Sequence, residues 1–97
     1  MDRVIYLNNL YDCYSELLTS KQQMYFKDYY FDNLSYGEIS LKYEISRNAV
    51  FHQLKLIENK LLFYEEKLKI YSKKEQISDI IKMIDNKEAK RLLEKLF

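Results

Sequence analysis

Apolar side chains recur along this chain at the three- and four-residue steps of helices, with short polar interruptions between the runs. Val4, Leu7, Tyr11, Tyr14 and Leu18 form one stripe over residues 3–18, widened by Ile5, Leu10 and Leu17, which predicts a first helix. Thr19 followed by Gln22 has the form of a capping box, in which the hydroxyl accepts the third amide and the glutamine returns to the cap. A second helix therefore starts there and runs to about Phe31, with Tyr25, Phe26, Tyr29 and Tyr30 as core candidates and Asp32-Asn33 as its end. Ser35 with Glu38 repeats the box and opens a short third helix to about Tyr43, and Ser46 caps a fourth. Two capped starts eleven residues apart leave room for two helical turns and a tight connection, the spacing of a helix-turn-helix. Leu34, Ile39, Ile45, Val50 and Leu54 would converge on one small core, leaving Arg47, Asn48, Phe51, His52 and Lys55 outside.

From Val50 the apolar or aromatic positions are Val50, Leu54, Ile57, Leu61, Tyr64, Leu68 and Tyr71, alternating steps of four and three as in a coiled-coil seam. A fourth helix over about 46–71 would be about 39 Å long at 1.5 Å per residue. That outreaches a three-helix core, so its outer half calls for cover from helix one or from a second copy. The expectation is a homodimer whose interface draws on Leu61, Tyr64, Leu68 and Tyr71 with Val4, Leu7 and Tyr11 of helix one. Beyond Ser72, Lys73-Lys74-Glu75 reads as a joint. Ile77, Ile80, Ile81 and Ile84 then form one short amphipathic helix, and Leu92, Leu93 and Leu96 another after Asp85-Asn86, both too short to stand alone in water.

Composition narrows this picture to one small helical domain. The chain has 97 residues, no proline and a single glycine, Gly37, which leaves little of the turn chemistry that a β-sandwich or barrel needs. The expected division is an N-terminal helix over 1–18, a helix-turn-helix unit with its long helix over 19–71, and a helical tail over 72–97. One cysteine, Cys13, and one histidine, His52, support neither a disulfide framework nor a Cys-based zinc site. No glycine-rich phosphate loop or nucleophile pairing is present, so the reading has no catalytic residues, no cofactor and no metal. Without a basic start followed by an unbroken apolar run, the expectation is a cytoplasmic protein that does not insert in a membrane.

The formal net charge is +1, well short of the basic balance that announces nucleic-acid binding. It is unevenly spread. Residues 1–45 carry four basic and seven acidic side chains (−3), residues 46–72 five and three (+2), and residues 73–97 seven and five (+2). Anion attraction therefore lies in the C-terminal half. Arg47 and Asn48 fall in the first turn of the fourth helix, where free amides and the positive dipole end favour phosphate. Arg can fork onto guanine and Asn onto adenine in a major groove, while a solvated, capped helix face fits the same residues.

The stretch from Leu18 to Leu61 begins Leu-Thr-Ser-Lys-Gln-Gln and includes Leu-Ser-Tyr-Gly-Glu-Ile-Ser and Ile-Ser-Arg-Asn-Ala-Val. It resembles region 4 of bacterial sigma factors. The longer run from Tyr11 to about Tyr71, with Tyr-Tyr-Phe-Asp-Asn-Leu-Ser and Tyr64-Glu65-Glu66-Lys67-Leu68, more closely resembles the YlxM-like family of small bacterial helix-turn-helix proteins. The resemblance implies an all-α, cytoplasmic, sigma-region-4-like DNA-binding unit and a part in the signal recognition particle pathway. Carried over by position, the recognition helix begins at Ser46 and offers Arg47, Asn48, Phe51, His52 and Lys55, with Ser35, Tyr36, Lys42 and Lys60 as phosphate contacts. The chain departs from the pattern at Ser40, where such motifs prefer alanine, at Glu44, where many have glycine, and at Asp28, a usually apolar place. Two functions stay open: a non-catalytic DNA-binding regulator (RNA being a further candidate partner), and a protein-interaction module that keeps the fold without DNA binding.

Overall fold

The structure is a computed structural model and describes residues 2–96. It is an all-α helix-turn-helix bundle, with no strand among the described residues. Helix α1 spans Arg3–Tyr14, started by the Asp2 carboxylate, which accepts from the Val4 amide at 2.7 Å. A 3₁₀ turn at Ser15–Leu17 leads to α2, Ser20–Phe26, whose capping box forms as expected: Gln22 N to Thr19 Oγ1 at 3.1 Å, and Thr19 N to Gln22 Oε1 at 3.0 Å. The helix continues to Phe31, but Lys27–Phe31 is wound as a π-turn, and Asn33 in the left-handed region (φ 60°) ends it. Ser35 and Glu38 form the second box and start α3, Tyr36–Tyr43. Ser46, accepting from Ala49 N at 3.0 Å, starts α4, Arg47–Leu68.

Helix α4 is the axis on which α1, α2 and α3 pack. Val50, Leu54, Ile57 and Leu61 are buried along it, against Leu7, Leu10, Tyr11, Tyr14, Leu18, Tyr25, Phe26 and Ile39. Leu34 and Ile45, also expected in the core, are half-buried against it. Phe26 stacks on Tyr11 and on Tyr30, each at 4.4 Å between ring centroids.

Three carboxylates are buried in this bundle, and each accepts a hydrogen bond from a tyrosine hydroxyl, which supplies the donor that a buried anion requires. Asp28 accepts from Tyr43 at 2.5 Å and from Lys42 Nζ at 2.9 Å, Glu58 from Tyr30 at 2.7 Å, and Glu65 from Tyr14 at 2.5 Å. The π-turn brings Asp28 to α3 and joins the two helices there, which accounts for an acid at an apolar place. Burial, followed by these bonds, raises the pKa values of Tyr14, Tyr30 and Tyr43, Tyr14 to about 12.

The long helix is shorter than its heptad pattern suggests. It stops at Leu68, Lys69 is left-handed (φ 55°), and α5 begins at once and spans Ile70–Met83, so Lys73-Lys74-Glu75 lies inside a helix and is not a joint. Two local hydrogen bonds and one long-range one close the break: the Glu65 carboxylate accepts from Tyr71 N (3.1 Å) and Ser72 N (3.0 Å), and the Tyr14 hydroxyl from Ile70 N (3.0 Å). These bonds satisfy amides that a helix start leaves open. After Asn86, which accepts from Ala89 N, α6 runs over Lys87–Glu94.

Helices α5 and α6 form a hairpin with no buried residue. The molecule is accordingly elongated, 55 × 25 × 24 Å, and its radius of gyration of 16.9 Å exceeds the roughly 13 Å of a compact chain this long. No helix among the described residues is long and apolar enough to cross a membrane.

Candidate nucleic-acid interface

Helices α3 and α4 are joined by Glu44-Ile45-Ser46. Glu44 takes the left-handed conformation (φ 56°, ψ 44°) in which glycine would be free of strain. Ser40 is what braces the turn: its hydroxyl donates to Ile45 O at 2.5 Å, and its carbonyl accepts from Ile45 N at 3.1 Å. Both departures from the motif thus belong to one device, a turn held by a serine in place of one relaxed by a glycine.

Ser46, Arg47, Asn48, Phe51, His52 and Lys55 are all exposed and lie on one side of the first turns of α4. Ser46 Oγ is engaged in the cap. Arg47 is not extended: a Cβ on Gly37 would lie 3.0 Å from its Nη2 and 3.2 Å from its Cζ, so the guanidinium rests on the backbone of α3. Glycine inside a helix costs about 0.5–1 kcal/mol. The chain's single glycine therefore stands where it gives the arginine room. Lys55 folds back too, its Nζ 5.9 Å from the centre of the Phe51 ring.

Phe51 ends an aromatic row that starts in the core. Tyr30 meets Tyr29 edge-on at 4.9 Å, Tyr29 stacks on Tyr36 at 5.2 Å, Tyr36 meets Phe51 at 6.1 Å, and Phe51 meets His52 at 5.5 Å. A hydrogen bond with Tyr29 and then burial raise the Tyr36 pKa. Tyr29, Gly37 and Ser40 are the residues of this surface that sequence reading did not assign to it. Gly37 was signalled only by being the sole glycine.

The expected phosphate contacts are more dispersed. Ser35 Oγ serves its cap, and Tyr36 is half-buried in the aromatic row. Lys42 is paired with the buried Asp28, which raises its pKa chiefly through that hydrogen bond. Lys60 turns to Gln22 Oε1 at 3.4 Å, little more than one turn beyond Lys55 and on another side of the helix.

The residues expected to meet a second copy are largely used within the chain. Leu7, Tyr11 and Leu61 are core, because α1 itself covers the α4 seam. Tyr64 and Tyr71 are half-buried, Tyr71 against Tyr6 and Asn9, and only Val4 and Leu68 are well exposed. Periodicity signals that a face needs cover and leaves open which chain supplies it. Further apolar exposure is on the hairpin, at Ile80, Met83, Leu92 and Leu96, beside an open groove of about 330 Å³ lined by Lys74, Ile77, Ser78, Ile81, Leu93 and Glu94.

Residues 1–96 match the family described as "Putative helix-turn-helix protein, YlxM / p13 like". A UPF0122 protein of Oceanobacillus iheyensis is 47% identical over 76 residues, covering 78% of this chain and 72% of its own. One of Halalkalibacterium halodurans is 42% identical over 89 residues (92% and 80%), and one of Bacillus pumilus 36% over 104 (99% and 94%). With a helix-turn-helix built on α3 and α4 and a family match spanning nearly its whole length, the chain belongs to the UPF0122 family of YlxM/p13-like helix-turn-helix proteins.

Proposed function

We propose that this protein is a non-catalytic regulator that binds duplex DNA through α4, as a homodimer. The observation that carries the reading is the outward side of α4: Asn48, Phe51, His52 and Lys55 are exposed next to Arg47, at the start of a helix whose entry turn, left-handed at Glu44, is braced by Ser40. A helix presented in this way fits a major groove, while the helix before it crosses the backbone. Lys42 is ion-paired with Asp28 and Lys60 lies on another side of α4, so Arg47 and Lys55 supply the main phosphate charge. The logarithm of affinity should then fall against log salt with a slope of about −2 per protomer, and twice that for a dimer. Anisotropy titrations with duplex DNA from low to physiological salt test this, and absence of binding at low salt would sink the reading.

The dimer is assigned to the α5–α6 hairpin. Its exposed Ile80, Met83, Leu92 and Leu96, with the half-buried Ile77, Ile81 and Leu93, supply an apolar strip of the kind that marks an interaction surface. The flanking charges are nearly balanced, seven basic and five acidic over residues 73–97, which suits a second copy of the same surface better than a polyanion. Sedimentation at micromolar concentration should give twice the 11.9 kDa mass of one chain.

The same strip, together with the net charge of only +1, favours the second reading, a protein-interaction module that keeps the fold without DNA binding. The signal recognition particle pathway is the setting implied by the family resemblance. Retention of that particle's components on the immobilised protein, with and without nuclease, distinguishes a protein partner from a nucleic acid.

A further inference from the structure

We propose that α4 reads A·T base pairs, with Asn48 on adenine and Phe51 on the thymine methyl group, while Arg47, lying over Gly37, serves a phosphate. This rests on the reading of α3–α4 as a duplex DNA-binding unit, and it names the sequence class that the unit selects.

The two cations that could fork onto or approach guanine are both withdrawn. Arg47 lies over Gly37 on α3, the helix that meets the DNA backbone in this docking mode, and Lys55 lies over the ring of Phe51. Two of the side chains that project from the first two turns, Asn48 and Phe51, carry no charge. Asn48 is exposed, and no hydrogen bond from its amide is found among the described residues. An amide of this kind matches the paired donor and acceptor, N6 and N7, of adenine. Phe51 is a large apolar ring left 40% exposed, at a position where solubility alone would favour a polar residue. Tyr36 meets its edge and Tyr29 stacks on Tyr36, so the ring is backed by an aromatic row. In the major groove the C5-methyl of thymine is the apolar feature that such a ring can meet. Asn48 and Phe51 are three residues apart and therefore neighbours on one side of the helix, within reach of the two bases of one pair or of adjacent pairs. His52 can donate to the N7 of either purine and adds no discrimination between them.

The test is an anisotropy titration of the full chain at low salt against duplexes of A·T pairs only and of G·C pairs only. Two modified duplexes complete the set: the A·T duplex with uracil for thymine, and the G·C duplex with 5-methylcytosine. The expected result is about tenfold tighter binding to A·T, a loss of roughly threefold or more on uracil substitution, and a gain on cytosine methylation. Phe51→Ala should abolish both methyl effects, Asn48→Ala should reduce the A·T preference, and Arg47→Ala should weaken all four duplexes alike. Both of the first two side chains are exposed, so unchanged circular dichroism is expected and checks that the variants fold. Equal affinity for A·T and G·C duplexes overturns the proposal while leaving DNA binding intact. So does a preference for A·T that is indifferent to the methyl group, since groove shape would then be the discriminator. Failure to bind any duplex overturns this proposal together with the DNA-binding reading beneath it.

Discussion

The bundle of residues 3–68 and the hairpin of residues 70–94 are equally helical but are held together by different means. In the bundle, twelve apolar or aromatic side chains are buried, and each buried carboxylate meets a tyrosine hydroxyl. In the hairpin, apolar residues share a side of each helix, yet none is buried. Amphipathic spacing is therefore enough to specify a helix and too little to specify a core. The core arises only where α4 has three neighbours to close around it.

The sharpest way to separate the two regions is truncation of matched side chains. Phe26→Ala or Leu54→Ala should lower unfolding free energy by about 3–5 kcal/mol, because each leaves a cavity among packed neighbours. Leu93→Ala in the hairpin should change it by less than about 1 kcal/mol. Denaturant titrations of the three variants would erase the distinction if the losses were equal.

A smaller effect is expected at the junction. Glu65→Ala removes the acceptor of two α5 amides and leaves the Tyr14 hydroxyl without its carboxylate, a loss of about 1–3 kcal/mol. Hydrogen exchange should then accelerate across residues 70–83 while residues 50–61 stay protected. Acceleration spread evenly over both would show that the regions unfold as one.

Ending the chain after Lys69 should be milder for the bundle, since Glu65 would become free to meet water instead of being stranded. Circular dichroism should show cooperative melting, with Tm lower by roughly 4–8 °C for each kcal/mol lost. A truncated chain without helical structure at room temperature would assign the hairpin to the core.

At neutral pH the tyrosines contribute no pH dependence, and their effect emerges on the alkaline side. Burial, then the bond to Glu65, pushes the Tyr14 pKa from 10.0 to about 12. A raised folded-state value means that its contribution is complete below about pH 10 and is lost as pH climbs towards 12, where the unfolded chain releases the proton first. Stability measured across that window should fall, and Tyr14→Phe should flatten part of the fall.

Local chemistry was legible in the sequence, and tertiary chemistry was not. Thr19 with Gln22, Ser35 with Glu38, and Ser46 announce helix starts because cap and amide lie within four residues of one another. The inward stripe of α4 was equally plain. The end of that helix was not, since the Glu65 carboxylate that receives the first amides of α5 is held in place by Tyr14, fifty-one residues away. Asp28 looked out of place because its partners, Lys42 and Tyr43, lie on another helix. For the candidate interface, the exposed positions on α4 could be named from spacing. The retraction of Arg47 onto Gly37 could not, because it depends on how closely α3 approaches α4.

The junction at Lys69 also fixes a phase angle. With α5 bolted to the end of α4 through Glu65 and Tyr14, the azimuth of the hairpin about the α4 axis is set relative to Arg47, Asn48 and Phe51. In a dimer joined by its hairpins, that angle would act as a ruler, presenting two α4 helices at one separation and one rotation and so selecting half-sites about 34 Å apart or a multiple of it. A single alanine inserted after Ser72, inside α5 and beyond the junction bonds, would turn the rest of the hairpin by about 100° and lift it by about 1.5 Å. The two reading heads would fall out of step although neither had lost a contact of its own.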